Sequence, residues 1–267
     1  MVSFVATPIG NLGDITFRAV ETLKNADEIY CEDTRHTVKL LNAYQIKKPL
    51  YSCHKFNERQ AAEKIAAAAR EGKNVAVVSD AGLPVVSDPG NVVCEVLKER
   101  GVPYTVIPGA NAALCALILS GLPAERFLFI GFLPEKAGEK RALIERYKDT
   151  DATLLFHVAP QDIDGDIRAL YETLGERRAA AVREITKIHE ESVPFLLSQG
   201  LPGEKRGEYV LVVEGAAKAE NPLCALSERE HILHYMRLGY DKKEALKKAA
   251  KDRGVSKSAL YSFSVDL

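Results

Sequence analysis

Short apolar runs separated by amphipathic stretches fill the first 115 residues. β-prone runs at 2–6 (VSFVA), 27–31 (DEIYC), 75–79 (VAVVS) and 104–107 (YTVI) alternate with segments at 16–25, 35–44, 57–71 and 91–100, where apolar positions recur every three or four residues. The first pattern predicts strands, the second helices. Helix stops agree: Gly72 follows Ala-Ala-Arg-Glu, and Gly101 follows Lys-Glu-Arg. Strands separated by helices predict an α/β domain with a parallel sheet over residues 1–115.

The pattern then changes. Strands are expected near 127–131, 153–157, 179–183, 189–196 and 208–214, and helices near 138–148 and 162–174. Helices separate only some of these strands, which predicts a mixed sheet in a second α/β domain, residues 123–217. The apolar segment from Ala112 to Ser120, closed by Gly121 and Pro123, is the expected connector. Residues 227–267 carry no strand pattern and read as three short helices. Ser227-Glu228-Arg229-Glu230 is a capping box, Gly239 and Gly254 break the chain, and Ser256 is placed to cap the last helix.

Composition narrows the class. The chain has 267 residues, 46% of them hydrophobic and 27% charged, enough for more than one core. A formal charge of -1 excludes a protein that coats nucleic acid over its whole surface, so any polyanion site must be local. Residues 227–267 are the basic part, with nine Lys or Arg against six Asp or Glu. Five cysteines without a C-x-x-C pair predict reduced thiols rather than a disulfide framework. The start, Met1-Val2-Ser3-Phe4, lacks the basic region of a signal peptide, and the apolar stretch Ala112–Leu122 is far short of the roughly 20 residues of a membrane helix. A cytoplasmic protein is expected.

Candidate chemistry lies in three loops that follow predicted strands. In open parallel sheets, ligands bind outside the carboxyl ends of strands. In VSDAGLPVVSDPG, residues 78–90, Gly82 permits close backbone approach, Pro84 and Pro89 stiffen the loop, and Asp80 offers an acceptor for an amine or hydroxyl. Ser87-Asp88-Pro89-Gly90 reads instead as the start of the next helix, with Asp88 leading and Pro89 in the first position. The other loops are Thr7-Pro8-Ile9-Gly10-Asn11-Leu12 and Pro108-Gly109-Ala110-Asn111-Ala112-Ala113. None contains G-x-G-x-x-G or G-x-x-x-x-G-K-[ST], so neither a dinucleotide nor a nucleoside triphosphate is indicated. Walls of Gly, Ala and Pro predict a flat, uncharged pocket. The histidines are scattered, and His231 and His234 lack a third ligand in sequence reach, so no metal site is expected.

TPIGNLGDIT, CEDTRHT at 31–37, SDAG-P---SDPG, PGANAAL, GFLP at 131–134, REITK at 183–187 and YVLVVEG at 209–215 occur in one order. Together they closely resemble the small-subunit ribosomal RNA methyltransferase branch of the tetrapyrrole methylase superfamily, over essentially the whole chain. The resemblance implies two α/β domains with a cleft for S-adenosylmethionine (SAM) between them, a small C-terminal helical domain, and a homodimer. It implies methylation of the ribose 2'-hydroxyl of a cytidine in the decoding region of 16S rRNA, without a metal. By matching positions, Pro8, Ile9, Asp80, Ala81, Gly82, Leu83, Asn111 and Ala112 would contact SAM from one domain, and Val158 and Arg183 from the other.

Candidates to assist loss of the hydroxyl proton are Asp33 and Arg35 in CEDTRHT and Glu184 and Lys187 in REITK. Lys187 fits a base if its pKa is lowered, or else a phosphate ligand. Glu32, Asp33 and Arg35 also fit an ion-pair cluster capping the helix at 35–44. The chain departs from the family pattern at His157-Val158-Ala159-Pro160-Gln161-Asp162, where relatives read Tyr-Glu-Ser/Ala-Pro-His-Arg, and at Leu83, where Thr is common. Backbone contacts to SAM survive such changes; RNA positioning by the missing Arg does not. In the tail, Lys247, Lys248 and Lys251, with Lys242, Lys243, Arg253 and Lys257, suit sequence-independent phosphate binding, while Ala245, Leu246, Ala249 and Ala250 suit inward packing. Two rival functions remain: a tetrapyrrole or other small-molecule methylase, which leaves the basic tail unused, and a non-enzymatic nucleic-acid binder, which leaves the three loops unused.

Overall fold

The computed structural model describes residues 1–217 and 222–264, so the last three residues of the expected helical tail lie outside the described residues. Two compact units form, Met1–Gly215 and Ala216–Leu267. The first contains both expected α/β segments.

Its first sheet has five parallel strands, β1 (Val2–Val5), β2 (Glu28–Cys31), β3 (Leu50–Ser52), β4 (Val75–Val78) and β5 (Tyr104–Ile107), in the order β3-β2-β4-β1-β5. Helices α1 (Phe17–Asn25), α2 (Thr34–Ala43), α3 (Glu58–Arg70) and α4 (Asn91–Glu99) make the crossovers. Alternate residues of each strand face opposite layers. Val2, Phe4, Val75 and Val77 pack with Ile65 of α3 and Val93 and Leu97 of α4; Val5, Ile29, Ala76 and Val78 pack with Leu23 of α1 and Leu41 of α2. Burial on both faces explains why the inner strands β1, β2 and β4 read as continuous apolar runs, each fully buried large side chain contributing about 1.5–3 kcal/mol. Strand β3 was not expected from the sequence: three residues at an edge are too few to show a period.

Connector helix α5 (Ala112–Ser120) buries Ala113, Ala116 and Leu117 against Leu155, Val182 and Val210 of the second sheet. That sheet comprises β6 (Phe127–Phe132), β7 (Thr153–Val158), β8 (Arg178–Arg183), β9 (Glu191–Leu196) and β10 (Tyr209–Val213), in the order β6-β7-β10-β8-β9. It is mixed as expected: β6 and β7 run parallel, and the other pairs antiparallel. Helices α6 (Ala137–Glu145) and α7 (Ile163–Leu174) cover its other face over Leu154, Phe156, Leu211 and Val213.

The second unit contains α8 (Glu228–Arg237), α9 (Lys242–Asp252) and α10 (Lys257–Tyr261) around Ile232, Leu246 and Leu260. The capping box forms, with the Ser227 N–H donating to Glu230 at 3.0 Å and the Glu230 N–H to Ser227 at 3.3 Å. Ser256 caps α10 by accepting the Ala259 N–H at 3.3 Å. Ala245, Leu246, Ala249 and Ala250 are buried.

Candidate functional site

Strand order selects the site. The connection leaving β1 passes β4 to reach β2, whereas the connection leaving β4 passes β1 to reach β5. Adjacent strands whose connections depart in opposite directions open a crevice at their carboxyl ends. The three small-residue loops follow β4, β1 and β5, which are neighbours. Thr7 and Gly82 join two of them: the Thr7 N–H donates to the Gly82 carbonyl at 2.9 Å, and the Gly82 N–H to the Thr7 carbonyl at 3.1 Å. Gly82 has φ +82°, and a Cβ there would meet Ile9 at 3.4 Å. On the third loop, a Cβ at Gly109 would lie 2.8 Å from that of Ala6. At Gly109 only glycine lets the loops approach so closely, and at Gly82 the left-handed φ favours glycine.

The facing wall comes from the second sheet. A register shift between Phe129 and Gly131 in β6, with Gly131 at φ +79°, interrupts the alternation of side chains. Phe129 and Phe132 consequently both meet the His157 ring, at centroid distances of 5.1 and 5.4 Å. Burial lowers the His157 pKa, against a smaller opposing effect from Glu208, so the ring is neutral near pH 7. The two walls enclose a cleft of about 390 Å³, lined by residues from Ile9 to Ala113 on one side and from Phe129 to Val210 on the other.

Of the residues assigned to the cofactor, Ile9, Ala81, Gly82, Leu83, Asn111, Ala112 and Val158 line this cleft. Pro8, Asp80 and Arg183 are not among its lining residues. Asp80 Oδ1 accepts the Asp33 N–H at 3.2 Å, and Arg183 Nε donates to Glu191 at 2.7 Å. Asn111 caps α5 by accepting the Leu114 N–H at 3.0 Å.

The reading of Ser87-Asp88-Pro89-Gly90 as a helix start is corrected. Helix α4 begins at Asn91 with Gly90, φ +137°, as its N-cap. Glu58 Oε1, reaching from α3, accepts the Gly90 and Val92 N–H groups at 2.7 and 2.9 Å. Ser87 and Asp88 line the cleft instead. Burial foremost, then the charges of Glu32 and Asp80, raises the Asp88 pKa from 3.8 to about 6.

The four catalytic candidates form two ion-pair groups. Asp33 caps α2 and holds Arg35 through both carboxylate oxygens, at 2.7 Å to Nη2, and the Arg35 hydrogen bonds keep Asp33 well below the usual carboxylate range. The Arg35 side chain is 88% exposed. Lys187 Nζ lies 3.0 Å from Glu184 and 2.8 Å from Glu208. Burial pulls the Lys187 pKa down, but those carboxylates outweigh it and the net shift is upward. Lys187 therefore stays protonated, which corrects its reading as a base. Gly10 makes room for it, since a Cβ there would sit 2.6 Å from Lys187 Cε. Hydrogen bonds from the Glu208 N–H and from Lys187 hold Glu184 low as well, against the effect of burial. Thr186, hydrogen-bonded to Asp14, ties this loop to the one after β1.

A model of the Tetrapyrrole (Corrin/Porphyrin) Methylases matches residues 1–201. A protein of Halalkalibacterium halodurans named ribosomal RNA small subunit methyltransferase I is 43% identical over 267 residues, which cover 97% of this chain and 92% of that protein. The chain belongs to the tetrapyrrole methylases, in their ribosomal RNA small subunit methyltransferase I branch. A Thermotoga maritima member of the branch is 40% identical over 215 residues, 79% of this chain and 96% of its own length. Among solved structures, uroporphyrin-III C-methyltransferase of Thermus thermophilus, complexed with S-adenosylhomocysteine, covers 79% of this chain and 96% of its own, with a TM-score of 0.57 and 20% identity; it shares the fold.

In this tetrapyrrole methylase the departing segment divides in role. His157, Val158, Ala159 and Pro160 line the cleft, while Asp162 is the N-cap residue of α7. The tail cations divide too. Lys247 and Lys251 are exposed on α9, but Lys248 Nζ lies 4.4 Å from the Tyr240 ring centroid, and the mostly covered Arg253 is engaged by His231, Glu228 and the Leu226 carbonyl. Arg253 is thus a strut, not a phosphate ligand. Among the residues missed from sequence, Asp88 was masked by a sound local rule for helix starts. Phe129 and Phe132 needed the bulge, and Glu208 needed the long-range pairing with Lys187.

Proposed function

We propose that this chain transfers a methyl group from SAM to the 2'-hydroxyl of a cytidine in 16S rRNA of the small ribosomal subunit, as a cytoplasmic homodimer. The observation that carries the reading is a cleft built from both sheets at a topological switch point, in a chain 43% identical to a named ribosomal RNA small subunit methyltransferase I. Its residues fit SAM. No lysine or arginine is among the described residues that line it, which opposes a polyphosphate and leaves room for a cationic sulfonium. Gly82 admits close backbone approach, Asn111 keeps its amide N–H groups available, and Phe129, Phe132 and Leu83 give apolar walls.

When bound, SAM supplies an electrophilic methyl group. The chain's own residues must hold the ribose in line with it, exclude water and take up the hydroxyl proton. Lys187, fixed as a cation, and the exposed Arg35 suit RNA phosphates. Lys247 and Lys251 add a sequence-independent contact from the tail. Exposed Leu114, Ile118 and Leu119 on α5 support self-association. No helix among the described residues is long and apolar enough to cross a membrane.

The test is methyl transfer from labelled SAM to small ribosomal subunits isolated from cells lacking the enzyme, against free RNA and a porphyrinoid precursor, with SAM affinity measured by calorimetry. Labelled 2'-O-methylcytidine in subunit RNA is expected. Label in the porphyrinoid alone, or no SAM binding, would refute the reading.

A further inference from the structure

Two acids line the cleft, and they differ. Glu208 is paired with Lys187 at 2.8 Å. No hydrogen bond or ion pair engages the Asp88 carboxylate among the described residues. An Asp before Pro at the head of a helix would ordinarily cap it. Here Glu58 accepts the first-turn N–H groups from 32 residues away, and Gly90 replaces Asp88 at the N-cap. The loop is held in a costly shape to achieve this. Val85 and Ser87 have φ of +79° and +65°, and a Cβ at Gly90 would meet Val85 Cγ2 at 2.7 Å. A fold that takes the cap from Asp88 and leaves its carboxylate unpaired at the wall of the cleft has kept that group for a ligand.

The candidate bases named from the sequence are committed elsewhere, and burial makes the neutral His157 ring a weaker base. Asp33 holds Arg35, Glu184 holds Lys187, and Lys187 is protonated. Resting on the methyl transfer proposed above, we infer that Asp88 is the group that receives the proton of the acceptor hydroxyl. As the O–C bond forms, the methyl–sulfur bond breaks and its electron pair stays on sulfur. The O–H proton passes to an Asp88 carboxylate oxygen and then to water. Glu32 beyond β2, Asp80 beyond β4 and Glu58 on α3 surround the loop, with His157 and the Glu208–Lys187 pair across the cleft. With a pKa of about 6, Asp88 is a stronger base than an ordinary aspartate and is still ionised at pH 7.

The test compares the wild type with Asp88→Asn, Asp88→Glu and His157→Phe in single-turnover transfer to unmodified small ribosomal subunits, across pH. SAM and subunit affinities are measured separately, and carboxyl protonation is followed by infrared spectroscopy of the free protein. Asp88→Asn is expected to keep both affinities within about threefold while transfer slows by about a hundredfold or more, and Asp88→Glu to recover part of the rate. Wild-type transfer should fall about tenfold per pH unit below about 6, His157→Phe should keep that limb, and a carboxyl titrating in that range should vanish in Asp88→Asn. Wild-type rates in Asp88→Asn, a loss matched by weaker SAM binding, or an acid limb that disappears with His157 would overturn the proposal. A wild type that binds no SAM and methylates no subunits would overturn the underlying reading instead.

Discussion

Replacing Asp88 with Asn should stabilise the protein near neutral pH, with a gain that disappears in acid. Burial and the charges of Glu32 and Asp80 raise the Asp88 pKa from 3.8 to about 6, so the folded state binds this proton more tightly than the unfolded chain. The charged form therefore destabilises the fold. The cost is complete above the folded pKa, shrinks as pH falls from about 6 toward 3.8, and is absent below. The full difference corresponds to about 3 kcal/mol. Solvent reaches this half-buried carboxylate, and screening cuts the figure to about 1.5 kcal/mol. In a protein of this size that raises Tm by roughly 3–6 °C. Scanning calorimetry of both proteins without SAM, from pH 8 to pH 4, reads it directly. Glu32 and Asp80 repel Asp88 in the wild type alone, so that repulsion is part of the difference. An Asp88→Asn protein no more stable than the wild type at pH 8, or a gain undiminished at pH 4, would refute the reasoning.

Lys187→Ala should depress methyl transfer far more than SAM affinity, and Gly10→Ala should mimic it because the new Cβ falls 2.6 Å from Lys187 Cε; parallel losses of transfer and SAM binding in Lys187→Ala would make Lys187 a cofactor or structural residue. Gly82→Ala forces a left-handed φ of +82° on an L-residue, at about 1–2 kcal/mol, and should weaken SAM binding about tenfold or more; unchanged calorimetric affinity would remove the loop from the cofactor site. In the tail, Lys247→Ala and Lys251→Ala should each flatten the log–log salt dependence of subunit binding by about 0.7–0.9, whereas Lys248→Ala should leave the slope alone and cost the tail about 0.5–1 kcal/mol of cation–π contact. Identical slopes in all three would show the tail to be a packed accessory.

One wall of the cleft was legible in the sequence and the other was not. The first is made of strand-end loops whose glycines and prolines are local signals, so the loops at 7–12, 78–90 and 108–113 could be picked out before any strand order was known, and the family resemblance then named Ile9, Leu83 and Asn111 within them. The second depends on geometry that alternation cannot give. Period-two logic sets Phe129 and Phe132 on opposite faces of β6, and only the register shift before Gly131 brings both to His157. Lys187 showed the same limit: its protonation is set by Glu208, 21 residues on and brought close when β10 pairs with β8. Even the loop after β4 misled, because Asp-Pro at a helix start is a good rule until a carboxylate from another helix takes over the cap.

That substitution yields a further prediction with a change of sign. Glu58 serves α4 in place of Asp88, so removing it should let Asp88 fall back to the role its sequence position suits. In Glu58→Ala, the Gly90 and Val92 N–H groups lose their acceptor, a loss worth about 1–2 kcal/mol if nothing replaces it. Asp88 is two residues from Gly90 and four from Val92, in a loop whose left-handed Val85 and Ser87 gain by relaxing, so it can turn out of the cleft and accept those bonds. The net loss of stability should then be under about 1 kcal/mol, while methyl transfer falls as it does for Asp88→Asn. The double-mutant cycle exposes the exchange. Asp88→Asn should stabilise the parent at pH 8 but destabilise the Glu58→Ala protein, where Asp88 has become the cap, giving a coupling of about 2 kcal/mol. Equal shifts of Tm in the two backgrounds would mean that Glu58 and Asp88 do not compete for the same helix end, and that the carboxylate faces the cleft for a reason unconnected with the cap.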